Sequence, residues 1–293
     1  MYRRPLTVIG LIMLAIGLSA CKATTLINAL TPRGDFDLKK NVPYGDNPRQ
    51  QMDIYTPTER PMKSAIIVFV HGGSWADGDK KQYLFVGQAF AEMGYLTVIP
   101  NYRLYPEVKF PDFIDDIALA TARLKDLLPE NECPDPGNII FVGHSAGAHT
   151  VAMLATDPKY LQRNNADITL QTWIGMAGPY NLPLDHPMVV DKFTTVKNDT
   201  EANPVNLATA NVAPVLLLHG EKDETAYPKH TREFSERLQQ LDVPVVTHIY
   251  PDTNHTKIVG GLAKRLRFLN PVYEDIENYL TKMGLDEECP KAD

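Results

Sequence analysis

Asn138-Ile139-Ile140-Phe141-Val142-Gly143-His144-Ser145-Ala146-Gly147 passes from an unbroken apolar run to a serine flanked by glycines, and His149-Thr150-Val151-Ala152-Met153-Leu154 follows with residues that suit a helix. The order is strand, sharp turn, helix. Glycines on both sides let the backbone take the strained turn that lifts a serine hydroxyl above the edge of a sheet, as a nucleophile elbow requires. The helix behind it points its N-terminal amides at the same spot, so the amide of Ala146 forms half of a candidate oxyanion hole.

A second apolar run, Ala65-Ile66-Ile67-Val68-Phe69-Val70, ends in a second glycine-rich turn, His71-Gly72-Gly73-Ser74-Trp75. Successive glycines allow peptide N–H groups to turn into a site without a Cβ in the way, and Gly72, Gly73 and Ser74 are the expected source of the other half of the hole. His71 reads as a brace for this loop. Fixed there, it cannot also reach the serine hydroxyl well enough to act as a base.

A serine nucleophile needs a base, and the base an orienting acid, here in the chain order Ser, Asp or Glu, His. The run Val215-Leu216-Leu217-Leu218 leads into His219-Gly220-Glu221-Lys222-Asp223-Glu224, which places Asp223 just past the C-terminal end of a core strand, where open α/β sheets bind ligands. Glu221 and Glu224 are its rivals. Val245-Val246-Thr247-His248-Ile249-Tyr250 forms the next strand, and the loop Pro251-Asp252-Thr253-Asn254-His255 delivers the expected base, His255. His248 inside the strand and His230 in a polar helical stretch read as structural or surface imidazoles.

Together these residues resemble an α/β-hydrolase of the carboxylesterase type, in the branches with a His-Gly-Gly-x-Trp loop. Those branches include small bacterial esterases, feruloyl and acetyl-xylan esterases, arylformamidases and prenylcysteine methylesterases. The resemblance also rests on Met52-Asp53-Ile54-Tyr55-Thr56-Pro57, Asn101-Tyr102-Arg103-Leu104-Tyr105-Pro106, Phe110-Pro111 with Asp115-Asp116, and Gly178-Pro179-Tyr180-Asn181-Leu182. It spans about residues 45 to 285. It implies a Ser145-Asp223-His255 triad that hydrolyses carboxylic esters through an acyl-enzyme, with no cofactor. Two other outcomes stay open: an arylformamidase-like amide hydrolase, and a hydrolase-fold binding lipoprotein without turnover. Trp75 and Tyr102 are candidates for the substrate pocket.

The N-terminus speaks to location. Tyr2-Arg3-Arg4 precedes an apolar stretch from Leu6 to Leu18, too short to span a bilayer as a helix, which reads as a signal peptide over residues 1–20. Leu18-Ser19-Ala20-Cys21 resembles a bacterial lipobox, implying lipidation of Cys21. With Lys22 next and no aspartate, the pattern resembles that of lipoproteins delivered to the outer membrane. Residues 21–45 then form a polar tether with no fold of their own, and 46–293 the catalytic domain.

Net charge excludes one class of partner. The chain carries −7, or −9 once Arg3 and Arg4 leave with the signal peptide, and no Lys or Arg run offers a compensating patch for nucleic acid. Cys133 and Cys289, each followed by proline in a polar segment, are candidates for a disulfide in the oxidising envelope. Metal-binding spacings such as Cys-x-x-Cys or His-Glu-x-x-His do not occur.

Alternation sets the architecture. Strands near 64–70, 95–100, 138–142, 172–176, 214–219 and 245–250 alternate with helices near 81–93, 112–128, 146–156, 229–241 and 260–282, which predicts a mainly parallel sheet with helices on both faces. Between Ala177 and Val215 the periodicity fails, and this stretch is the expected small lid.

Overall fold

The computed structural model describes residues 24–128 and 133–290. The expected signal peptide and Cys21 lie outside these residues. The strands are β1 (Phe36–Pro43), β2 (Gln51–Pro57), β3 (Ile66–Val70), β4 (Thr97–Pro100), β5 (Asn138–His144), β6 (Thr169–Met176), β7 (Val215–Gly220) and β8 (Val245–Tyr250). The helices are α1 (24–30), α2 (Leu84–Glu92), α3 (Asp112–Ala122), α4 (Leu124–Leu127), α5 (Ala146–Thr156), α6 (Lys159–Arg163), α7 (Pro204–Leu207), α8 (Lys229–Gln240), α9 (His255–Gly260) and α10 (Val272–Lys282).

The strands form one sheet in the order β1-β2-β4-β3-β5-β6-β7-β8, antiparallel at β1–β2 and β2–β4 and parallel from β4 onward. Its central parallel strands β3, β5 and β7 are buried on both faces, as a doubly covered sheet demands. Ile66, Val68 and Val70 of β3 join one core with Phe113 and Ile117 of α3, Val151 of α5 and Phe234 of α8. Ile67 and Phe69 point the other way, into a core with Phe85 and Phe90 of α2 and Ile276 of α10. The α/β-hydrolase architecture follows.

Two expectations need correction. The segment read as an unstructured tether holds α1 and β1, and β1 pairs with β2 along an edge of the sheet, Phe36 opposite Pro57 and Pro43 opposite Gln51. An edge strand needs a hydrogen-bonded partner on one side only, so most of its side chains can be polar. Phe36 and Val42 are buried while Lys39 and Lys40 face water, which hides the strand from any apolar count and also guards the edge against further pairing. The predicted single helix over 260–282 is broken as well. A 3₁₀ segment, Lys264–Leu269, intervenes, and Asn270 is extended at φ −168° because the following Pro271 disfavours helical geometry there.

The segment after α10 is tied back to the residues that lead into β3. Cys133 and Cys289 form a disulfide, Cys289 N donates to the carbonyl oxygen of Met62 at 2.7 Å, and Ser64 N donates to that of Glu287 at 2.9 Å.

Candidate active site

Ser145 links β5 to α5 at φ 57°, ψ −124°, a left-handed conformation that a side-chain-bearing residue adopts only when its surroundings enforce it. Packing provides that enforcement. A Cβ on Gly147 would lie 2.0 Å from the carbonyl oxygen of Val70, so α5 can sit this close to β3 only with glycine there. Ser145 N donates to the Met176 carbonyl at 2.9 Å, which fixes the turn from β6.

His255 Nε2 stands 2.8 Å from Ser145 Oγ, and its Nδ1 donates to Asp223 Oδ2 at 2.7 Å. The three side chains come from the ends of β5, β7 and β8. His255 opens α9 rather than lying in a loop, and the side chain of Asn254 caps that helix by accepting from Lys257 N at 3.0 Å. Asp223 is buried with four donors around it. Its Oδ1 accepts the amides of Thr225 and Ala226, both at 2.9 Å, and its Oδ2 faces His219 Nε2 at 3.2 Å besides His255. Burial alone would push this carboxyl up, yet the hydrogen bonds from His219, His255 and the Ala226 amide hold it well below the usual carboxylate range. His219 Nε2 also lies 2.7 Å from the carbonyl oxygen of Ala226, so it must carry the proton, leaving Nδ1 to accept from the Thr231 hydroxyl at 2.7 Å. Neither rival acid comes near: Glu221 pairs with Arg232 on the surface and Glu224 is exposed.

The His71–Trp75 loop folds over the elbow. A Cβ on Gly72 would lie 2.9 Å from the Cβ of Ser145, so glycine is what lets the two turns meet. Gly73, Ser74 and Trp75 all have positive φ, and the carbonyl of Gly73 accepts the amides of Ala76 and Asp77, closing the loop on itself. Among the described residues, the amides of Ser74 and Ala146 have no protein acceptor, and both residues line the cavity above Ser145. His71 braces the loop as expected: its Nδ1 donates to the Gly72 carbonyl at 2.8 Å, and burial pushes its pKa down to about 4.

The cavity measures about 250 Å³. Trp75, Leu182, Met188 and Val189 give it apolar walls, while Lys229 and His230 add polar groups. Trp75 is thus part of the wall, but Tyr102 is not part of the pocket. It lies fully buried beneath the loop, stacked on His71 with ring centroids 4.5 Å apart, and its hydroxyl donates to the His71 carbonyl at 3.1 Å. His230 also differs from its expected surface position: it is 6% exposed and lines the cavity. A polar helix gave no hint that its N-terminal turn faces the serine. His248 stays in β8, stacked on Tyr250, and takes no part in the contacts among Ser145, Asp223 and His255.

The stretch between Ala177 and Val215 packs against the cavity as a flank of short turns and α7. Its anchor is Phe193, whose ring contacts those of Trp75, Phe110, Phe113 and His149. One further residue escaped notice in the sequence. His144, just before the serine, places Nε2 2.9 Å from the carbonyl oxygen of His255, and burial pushes its pKa down to about 3.

With this geometry in place, comparison with known proteins finds the BD-FAE family model matching residues 52–238, well over half of the chain. The chain belongs to the BD-FAE family. Among curated relatives of this BD-FAE chain, the probable carboxylic ester hydrolase LipM of Mycobacterium tuberculosis is 30% identical over 258 residues, covering 78% of this chain and 58% of LipM. The probable isoprenylcysteine alpha-carbonyl methylesterase ICMEL1 of Oryza sativa is 26% identical over 243 residues, covering 75% of this chain and 57% of that protein. The chain therefore spans less than three fifths of these relatives' length. Among solved structures, a truncated carbohydrate esterase from gut microbiota superposes with a TM-score of 0.73 at 16% identity, covering 86% of this chain and 99% of the other. Esterase 2 of Thermogutta terrifontis superposes with a TM-score of 0.71 at 20% identity, covering 89% and 98%. Both share the α/β-hydrolase fold.

Proposed function

We propose that the protein is a serine carboxylesterase in which Ser145 is the nucleophile, His255 the general base and Asp223 the orienting acid. The observation that carries this reading is the continuous relay from Asp223 through His255 to Ser145, 2.7 Å and 2.8 Å long, at the floor of a cavity. The family match and the esterase relatives favour the same chemistry.

His255 accepts the serine proton as Oγ attacks the ester carbonyl, while Asp223 holds the imidazole in the tautomer that leaves Nε2 free and balances its positive charge. The oxyanion forms facing the amides of the Gly72-Gly73-Ser74 turn and of Ala146, none of which has a protein acceptor among the described residues. Donors already turned inward need no reorganisation, and loss of one costs about 2.7–4 kcal/mol of barrier in serine hydrolases. His255 then returns its proton to the leaving alkoxide. Water repeats the sequence on the acyl-serine and regenerates the enzyme.

The substrate is a small ester. The cavity of about 250 Å³ seats an acyl or alcohol group against Trp75, Leu182, Met188 and Val189. The chain works in the cell envelope of a Gram-negative bacterium, held to the outer membrane by lipid on Cys21, where no retention signal follows the cysteine.

Ser145→Ala tests the catalytic reading. Turnover of a p-nitrophenyl acyl ester series should fall by several orders of magnitude, and fluorophosphonate labelling should vanish with the melting temperature nearly unchanged. Near-native turnover in the folded variant would sink it. N-formylkynurenine in the same assay separates ester from formamide hydrolysis.

A further inference from the structure

Seven large hydrophobic side chains stand exposed among the described residues, and three of them, Leu26, Leu30 and Phe268, belong to two segments that touch. Leu26 and Leu30 are four residues apart in α1 and so share one face of the helix. Arg265 Nε donates to the carbonyl oxygen of Leu30 at 3.2 Å. Arg265 lies in the 3₁₀ segment Lys264–Leu269, where side chains three residues apart eclipse one another, and Phe268 therefore stands on the same side as Arg265, next to the end of α1. Phe268 is 81% exposed and Leu26 62%.

The patch is not a frayed end. The other side of α1 is fastened, with Ile27 packed on the core that α2 and α10 share, and Asn28 Nδ2 donating to the Lys81 carbonyl at 2.7 Å. Scattered exposed leucines need no explanation, but apolar side chains gathered on fixed elements mark a contact surface. Arg265 has no acidic partner among the described residues, which puts a free cation beside the apolar group. An aromatic, leucines and an arginine in one place suit the headgroup layer of a bilayer.

Chain length supplies the occupant. Cys21 lies three residues ahead of residue 24, and three extended residues span at most about 11 Å. Acyl chains on Cys21 would therefore hold α1 within that distance of the bilayer, and the face that carries Leu26 and Leu30 would meet lipid rather than bulk water.

We propose that Leu26, Leu30 and Phe268, with Arg265 at their edge, form a membrane-docking face that lies on the bilayer and sets the orientation of the anchored domain. This rests on the lipid-anchored reading of Cys21 but adds to it, since a lipid anchor at a single residue imposes no orientation by itself.

The test uses the full chain, processed in a Gram-negative host and reconstituted into vesicles of phosphatidylethanolamine and phosphatidylglycerol, with Phe268→Trp as reporter. Trp75 and Trp173 are buried and supply a constant background. The introduced indole should shift to the blue on reconstitution and be quenched by brominated acyl chains at least twofold more than one placed by Val246→Trp, on the opposite edge strand. Adding Leu26→Ser and Leu30→Ser should reduce that quenching while flotation persists. Flotation with a water-like, unquenched indole overturns the docking face and leaves the anchor standing. A blue shift already present without vesicles, and no quenching with them, overturns it in favour of cover by the chain itself or a second copy. Failure to float overturns anchor and face together.

Discussion

His144 Nε2 and the carbonyl oxygen of His255 are 2.9 Å apart, so the residue preceding the elbow serine holds the backbone of the residue whose ring faces that serine. The other ring nitrogen of His144 faces Gly72: a Cβ there would lie 3.3 Å from it. One neutral imidazole thus spaces the His71–Trp75 loop from the histidine of the relay. Its Nε2 carries the proton, because a carbonyl can only accept.

His144→Leu should therefore lower kcat by roughly 10- to 100-fold, the scale set by misplacing a base by about 1 Å, with KM little changed. His144→Gln keeps an N–H donor near that carbonyl and should recover part of the loss. Steady-state kinetics, with fluorophosphonate labelling rates alongside, check this. Equal loss in both variants would assign His144 to packing alone.

Asp223→Asn places an amide where four donors converge, so one N–H···H–N clash is unavoidable whichever way the amide is turned. The imidazole loses its orienting acceptor, and kcat should drop by about 10⁴ with ester binding retained. Glu221→Gln, on the surface opposite Arg232, should change kcat less than twofold. Reversal of that ranking in steady-state kinetics would reassign the acid.

Stability should decline as pH falls below about 6.5. Burial pushes His71, His149 and His230 each down to about 4 and His144 to about 3, whereas an unfolded chain protonates near 6.5. Unfolding therefore takes up protons across this window, at most about 5 kcal/mol per pH unit if all four respond fully. Asp223, held below its usual range, acts in the same direction at lower pH: its contribution is present above the unfolded carboxylate pKa and is lost as pH falls through the folded one. Melting temperatures measured from pH 7 to pH 4 should fall steadily. A flat profile between pH 7 and 5 would show that these imidazoles are not held neutral.

The Cys133–Cys289 bridge closes a loop with a sequence separation of 156 residues, for which chain entropy gives about 5 kcal/mol as an upper figure. Cys133→Ser together with Cys289→Ser should lower the melting temperature by on the order of 10 °C. Catalysis at 25 °C should hardly change. The bridge sits before the start of β5 and Ser145 follows its end, so the seven residues of that strand, roughly 23 Å, separate them. A loss of kcat without a loss of Tm would contradict this division.

Those features of the site that depend on local turns were legible in the sequence. The elbow and the His71–Trp75 loop announce themselves because close backbone approach demands glycine, and Asp223 and His255 because they follow apolar strands. What escaped depends on partners distant in sequence. Tyr102 reads like a pocket aromatic until its hydroxyl is seen to donate to the His71 carbonyl, and His230 reads like a surface residue because the helix that carries it is strongly polar. β1 shows no apolar alternation, since only Phe36 and Val42 of its eight residues are buried. The break before α10 was visible in Asn270-Pro271, but the apolar residues on either side suggested continuity.

Phe193 gives the flank over the cavity a different character from a door. Its ring is wedged among four aromatic and imidazole rings, so the flank is fastened to the same core that shapes Trp75. A wall fastened in this way discriminates between ligands by fit. Selectivity would then be altered by re-carving the wall at Leu182, Met188 or Val189, and not by loosening a hinge.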